Sequence, residues 1–301
     1  MAKPRLVLIG AVQATAALLE ALVKAGGDIR AVLTLSPGAG QARHADYVDL
    51  SGIAAAHGIP CHAIGDLADA KDLLRGIAPD VLCVFGWSRL VPPDVIACAR
   101  LGGIGFHPAP LPVGRGRHPL IWTILLGLEE SAACFFRLGT GADDGDILAR
   151  RNFRVAPDDT AGSLMAKVLA AGCAAVPELL KHLETRGVAG TPQDRAAAVA
   201  WRKREAADGR IDFRMTCAMI DRLVRALAPP YPGADAVHVR AGTGKIWRVE
   251  PRERPAAARF VEPGRVIGDD VGGPLVACGD GAVVLREHSF AGPLRSDTWF
   301  L

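Results

Sequence analysis

Arg5-Leu6-Val7-Leu8-Ile9-Gly10 reads as a short, fully apolar strand running into a glycine turn. Ala14 to Lys24 follows, rich in alanine and leucine with apolar spacing that suits a buried helix, and Gly26-Gly27 stop it. Ala31-Val32-Leu33-Thr34-Leu35 is the next strand and Ser51 to His57 a further helix. Val81-Leu82-Cys83-Val84-Phe85, directly after Pro79-Asp80, is a third apolar strand. Strand, helix, strand at this spacing predicts an α/β fold, a mostly parallel sheet with helices on both faces. The first turn, Gly10-Ala11-Val12-Gln13-Ala14-Thr15, lacks the second and third glycines that let a backbone approach a pyrophosphate, so it is read as structural and not as a dinucleotide site.

The whole chain of 301 residues is 50% hydrophobic and 22% charged, which suits one or two globular domains and excludes disorder or a collagen-like repeat. Its 35 basic residues against 32 acidic ones leave a net charge of +3, too balanced for a protein held chiefly by nucleic-acid phosphates. The apolar run after Met1-Ala2-Lys3-Pro4-Arg5 ends at Gly10, too short for a secretory signal or a membrane span. Seven cysteines are scattered without a Cys-x-x-Cys pair. Free thiols in a reducing cytoplasm are expected, with neither a zinc site nor a disulfide framework.

Gly187 to Trp201 reads as a connector, with Thr191-Pro192-Gln193-Asp194 ahead of an alanine-arginine run. Asp212 to Leu227 reads as one amphipathic helix with Met215, Met219, Ile220, Leu223, Val224 and Leu227 on its apolar face, ended by Pro229-Pro230-Tyr231-Pro232-Gly233. Short β-type runs then alternate with glycine pairs, the pattern of a small barrel or sandwich. The expected division is 1–190, a linker at 191–205, and 206–301.

The densest unusual stretch is Gly103-Ile104-Gly105-Phe106-His107-Pro108-Ala109-Pro110-Leu111-Pro112-Val113-Gly114-Arg115-Gly116-Arg117-His118-Pro119. Its prolines and glycines predict an ordered loop after a strand, where α/β proteins bind ligands. A polar loop, Gly139-Thr140-Gly141-Ala142-Asp143-Asp144-Gly145-Asp146, follows between strand-like runs. A histidine on one strand-end loop and a carboxylate on the next can meet above the sheet edge, the carboxylate orienting the imidazole as a general base. An ordinary surface hydrogen bond between them is the other reading. The Asp-rich turn lacks the spaced ligands and closing glutamate of a calcium loop. Arg115 and Arg117 can grip phosphate or carboxylate, or cap the loop.

Taken together, His107, Leu111-Pro112, Arg115-Gly116-Arg117, Pro119, Trp122 and Asp143-Asp144-Gly145-Asp146-Ile147 resemble the folate-dependent formyltransferases, a family that includes methionyl-tRNA formyltransferases and N-formyltransferases of nucleotide-linked amino sugars. Asp208-Gly209-Arg210-Ile211-Asp212-Phe213, Pro230-Tyr231-Pro232-Gly233-Ala234, Glu262-Pro263-Gly264-Arg265-Val266 and Ala277-Cys278-Gly279-Asp280-Gly281-Ala282 extend the resemblance toward the C-terminus. It implies a Rossmann-like N-terminal domain, a small OB-like β-barrel at the C-terminus, and formyl transfer from 10-formyltetrahydrofolate to a primary amine, without a metal. His107 would be the base or the oxyanion donor and Asp143 its partner. Arg89, Leu90, Val91, Arg117, Gly139, Thr140, Gly141, Ala142 and Asp143 would bind the folate.

The resemblance also carries a departure. The family pattern has an asparagine two positions before the histidine, where this chain has Gly105. Losing an oxyanion donor costs on the order of 10²–10³ in rate. Either His118, Arg117, a water or a backbone N–H freed by the glycine replaces it, or the acceptor does not need it, or the chemistry is altered or lost. For the acceptor, the loop Ser36 to Asp49 carries one arginine, Arg43, against two aspartates, a poor clamp for tRNA phosphates. A small amine, a nucleotide-linked amino sugar, is the expected substrate, with a methionyl-tRNA as the alternative. Barrel domains with exposed edges would also allow two copies of the chain to pair.

Overall fold

The structure is a computed structural model that describes residues 3–43 and 46–301; Met1, Ala2, His44 and Ala45, and the side chains of Ala42 and Arg43, lie outside the described residues. The chain divides into two compact units, the first made of Met1–Pro119, Glu130–Arg154 and Ala166–Arg202, the second of Leu120–Glu129, Val155–Met165 and Lys203–Leu301.

In chain order the first elements are β1 (Arg5–Ile9), α1 (Gln13–Lys24), β2 (Asp28–Leu35), α2 (Pro37–Arg43), α3 (Ser51–Ala56) and β3 (Cys61–Ile64). Then come α4 (Lys71–Ile77), β4 (Val81–Phe85), α5 (Pro93–Ile96), β5 (Gly102–His107), β6 (Val113–Gly116) and α6 (Pro119–Leu125). β7 (Glu130–Arg137), β8 (Ile147–Arg154), α7 (Ala161–Arg186) and β9 (Val199–Trp201) follow. One seven-stranded sheet runs in the order β3-β2-β1-β4-β5-β7-β8. The five strands from β3 to β5 are parallel, while β7 and β8 are antiparallel. The expected α/β architecture is present.

Both sheet faces are covered, which explains the strands' unbroken hydrophobicity. Val7, Ile9, Leu33, Leu82 and Val84 point into one core with Leu67, Leu74 and Val95. On the opposite face Phe85, Phe106 and Phe135 pack edge-on or tilted, with ring centroids 5.1–6.2 Å apart. α7 is long and apolar enough in length and composition to cross a membrane. Its Val168, Ala175, Val176, Leu179 and Leu183 are nonetheless buried within the protein, as in a core helix.

One detail corrects the sequence expectations. Gly103 to His107 do not begin a loop; they form all but the first residue of the interior strand β5. Glycine is accommodated there because Leu138 and Phe136 lie across Gly103 and Gly105 and fill the missing side-chain space. The turn at Gly10 is packed shut: Thr15 Oγ1 donates to Phe85 O at 2.6 Å, and a Cβ at Gly10 would collide with both residues. That is the structural role read for this turn.

Asp80 ties three strand ends together. Its carboxylate accepts the Arg5 N–H at 2.8 Å and Arg100 Nε at 2.7 Å. The Arg5 backbone donor and then the guanidinium partners hold its pKa down at about 2. A depressed pKa stabilises the fold above the ordinary carboxylate range near 4 and stops doing so as pH falls toward 2. Asp80→Asn is therefore expected to lower unfolding free energy by about 1–2 kcal/mol at pH 7, with the gap from the unaltered protein closing by about pH 2 in urea melts.

The second unit carries α8 (Cys217–Ala226) and the strands β10 (Ala234–His238), β11 (Gly242–Arg252), β12 (Val266–Asp270), β13 (Gly273–Ala277) and β14 (Ala282–His288). The helix expected over Asp212–Leu227 is shorter. Thr216 Oγ1 accepts the Met219 N–H and starts it, while Asp212 is turned back onto Arg214. Met219, expected on the apolar face, is 39% exposed. The strands form one antiparallel sheet, β10-β11-β14-β13-β12. Trp299 and Phe300 bridge to Arg265 and His238, so the chain's last residues join the two edges into a small barrel.

Candidate active site

His107 is the last residue of β5, 5% exposed, at the carboxyl end of the parallel strands. Nε2 lies 2.7 Å from the Gly114 carbonyl oxygen. A carbonyl only accepts, so this nitrogen carries a proton. Nδ1 lies 3.4 Å from Asp143 Oδ2, and the same oxygen accepts the Gly116 N–H at 2.9 Å. Both ring nitrogens thus face acceptors. A neutral ring can satisfy one of them and an imidazolium both.

The short strand β6 supplies these two backbone contacts because it is built from glycine. Gly114 and Gly116 have φ of +84° and +100°, and a Cβ at either would meet Trp201, 2.6 Å from its ring at Gly114 and 2.6 Å from its carbonyl oxygen at Gly116. Trp201 stands there because β9 pairs in parallel with β6. Asp143 is itself left-handed, with φ +52°, a conformation that Asp tolerates better than most residues. Its carbonyl accepts Gln193 Nε2 at 2.8 Å, and the same nitrogen donates to Gly145 O at 2.7 Å. Arg115 donates to Gln193 Oε1 through Nε and Nη2 at 3.0 and 2.8 Å. Arg115 is thus a tie between loops.

Gly105 stands two residues before His107 on the same face of β5. It is paired with Val84 on one side and Phe136 on the other, so its main-chain groups belong to the sheet and the glycine frees no N–H. A Cβ at 105 would lie 2.6 Å from Phe136 Cζ and 3.1 Å from Leu138 Cδ2. Hydrocarbon fills the position where the family pattern has an amide. Arg117, weighed as a substitute donor, gives Nη1 to Ser88 O at 2.9 Å.

Of the residues expected around a folate, Arg117 joins its loop to the loop after β4, and Asp143 joins it to the loop between β7 and β8. Arg89 pairs with Asp66 at 2.8 Å. Leu90 is 63% exposed, whereas Val91 packs its side chain into the core with Val95. Gly139, Thr140 and Ala142 are exposed and Gly141 half-buried against Asp144. Sequence reasoning missed Phe136, Gln193 and Trp201, whose partners lie 31 to 87 residues away in the chain and leave no local signal. In the second unit Cys217 and Cys278 bring their sulfurs within 2.8 Å beside Asp280. Burial, the Cys278 sulfur and the Asp280 carboxylate push the Cys217 thiol pKa up.

Comparison with known proteins shows the family. The formyl transferase family matches residues 5–180, and the formyl transferase C-terminal domain matches residues 203–298. A methionyl-tRNA formyltransferase of Nitrosospira multiformis is 31% identical over 302 residues, covering 99% of this chain and 95% of its own. One from Agathobacter rectalis is 28% identical, covering 98% and 94%. Among solved structures, HypX from Aquifex aeolicus in complex with tetrahydrofolic acid has a TM-score of 0.69 at 18% identity; all of this chain is covered, but it spans only 46% of HypX. An N-formyltransferase from Helicobacter canadensis, in complex with folinic acid and dTDP-3-aminofucose, gives 0.68 at 17% identity over 96% of this chain and 100% of that one.

Proposed function

This chain belongs to the formyltransferase family, enzymes that move a one-carbon formyl group, and on that premise we propose that it transfers the formyl group of 10-formyltetrahydrofolate to the primary amine of a small molecule, a nucleotide-linked amino sugar. The observation that carries this reading is the convergence of His107 and Asp143 at the carboxyl end of β5, ringed by the loops that also hold Arg89, Arg117 and Gly139 to Asp143. Those loops suit a pterin. Main chain at the exposed Gly139, Thr140 and Ala142 can read its edge, and the exposed Leu90 can cover its face.

In the reaction a C–N bond forms between the amine and the formyl carbon while the carbon's bond to the folate nitrogen breaks. The amine sheds one proton and the folate nitrogen gains one. For His107 to serve both transfers, Nε2 must exchange the Gly114 carbonyl for substrate; with Nδ1–H on Asp143 it then takes the amine's proton, donates it to the oxyanion and passes it to the folate nitrogen. The Asp143 carboxylate fixes the ring and offsets its charge when protonated.

Two other readings have their own observations. The curated relatives at 28% and 31% identity are methionyl-tRNA formyltransferases that match both domains, which favours a charged tRNA as acceptor. The apolar filling at Gly105 favours a protein that binds folate or a sugar nucleotide without transfer. One assay separates the three. The protein is incubated with 10-formyltetrahydrofolate and a panel of amino-sugar nucleotides or charged initiator tRNA, and tetrahydrofolate release is followed. Turnover with an amino-sugar nucleotide is expected. Turnover with tRNA alone, or folate binding without turnover on any acceptor, overturns the proposal in favour of the matching alternative.

A further inference from the structure

We infer that the stretch between the two family matches, residues 181–202, is part of the active-site framework, and that Gln193 is the residue that positions Asp143 against His107. This rests on the formyl-transfer reading for its meaning, though not for its test.

Gln193 is 8% exposed and its amide is bonded at both ends. Its nitrogen holds the carbonyls of Asp143 and Gly145, the two ends of a three-residue turn. No sheet ladder holds this turn, since β7 stops at Arg137 and β8 starts at Ile147. A Cβ at Gly145 would run into the Arg137 carbonyl oxygen, so the turn lies tight on the preceding strand. Gln193 oxygen in turn takes both near nitrogens of Arg115, which sits between Gly114 and Gly116. Those neighbours are the residues whose main chain holds His107 Nε2 and Asp143 Oδ2. On the other side of β6, Trp201 packs its ring on Gly114 and accepts the Arg117 N–H at 3.3 Å.

Residues 113–117, 143–145 and 193–201 therefore close one ring of contacts around the histidine and its carboxylate. The 3.4 Å between Nδ1 and Oδ2 is already long for a charge-assisted bond, so a small shift of the Asp143 backbone breaks it. Without Gln193 two carbonyls lose their donor and Arg115 loses its acceptor. Nothing else described holds the Asp143 carbonyl.

The test uses the full-length protein with two substitutions. Gln193→Met keeps the volume and removes every hydrogen bond; Gln193→Glu keeps the acceptor for Arg115 and removes both donors. Each is compared with the unaltered protein by the ¹⁵N resonances of the His107 ring at fixed pH, assigned by their loss in His107→Gln, and by kcat, KM and melting temperature. The expected result is a displaced His107 resonance in both variants. kcat should fall about 10- to 100-fold, with KM for 10-formyltetrahydrofolate within about threefold and melting still above the assay temperature. Unmoved His107 resonances overturn the inference, and so does a kcat loss seen only where the protein unfolds. Absence of turnover in the unaltered protein would sink the formyl-transfer reading alone, because the resonances still report whether Gln193 sets the histidine's surroundings.

Discussion

Asp143→Asn is expected to lower the rate of formyl transfer by about 10²–10⁴-fold while leaving the fold intact. The substitution is unusually clean. Asparagine, like aspartate, tolerates the left-handed φ of +52° found at this position. Its side-chain oxygen can still accept the Gly116 N–H, and Gln193 still holds the main-chain carbonyl. What disappears is the negative charge 3.4 Å from His107 Nδ1. The ring then has no counter-charge in the protonated form, and only the Gly114 carbonyl is left to orient it. His107→Asn should cost at least as much, since no other imidazole among the described residues shares this arrangement with Asp143. Steady-state kinetics with the preferred acceptor, alongside a melting curve, checks both. A variant at 143 within threefold of the unaltered rate would remove the carboxylate from the mechanism.

Gly105→Asn is expected to destabilise the protein by about 2–5 kcal/mol, because it overpacks a central strand and buries an amide against hydrocarbon. The Cβ alone would sit 2.6 Å from the Phe136 ring, and Phe136 is 4% exposed. Restoring the family's asparagine by itself therefore damages the fold and says nothing about catalysis. The informative variant is the pair Gly105→Asn with Phe136→Ala, which vacates the volume that the amide needs. The two changes share one space, so a double-mutant cycle in urea should show strong favourable coupling, about 1–3 kcal/mol. If the apolar filling limits the rate, the paired variant should also gain turnover, up to the 10²–10³ that one oxyanion donor is worth. Additive stabilities would mean that Phe136 does not stand in the amide's place.

Much of the first unit was legible along the chain. Val81–Phe85 is a strand from end to end, and α1, β2 and α3 fall within three residues of where apolar periodicity and glycine stops put them. Such signals are local: a strand or helix in a covered sheet is set by its own dozen residues. The amphipathic stretch after Asp212 was read too long because its apolar spacing runs past the residue that starts the helix. Only the hydroxyl of Thr216, bonded to the Met219 N–H, marks the true beginning.

The candidate site divides in the same way. His107 and the Asp-rich turn stood out because prolines, glycines and charges in that density suit no regular element. The sequence also determined, by itself, the alternation of strands and helices, the all-apolar sheet and the presence of a β-rich C-terminal unit. Tertiary structure alone decided what surrounds the histidine. Phe136 reaches Gly105 from the neighbouring antiparallel strand, Gln193 reaches Asp143 across 50 residues, and Trp299–Phe300 close the barrel. Periodicity and propensity act over a few residues, whereas these contacts depend on which strands become neighbours, and that is settled only when the whole core packs.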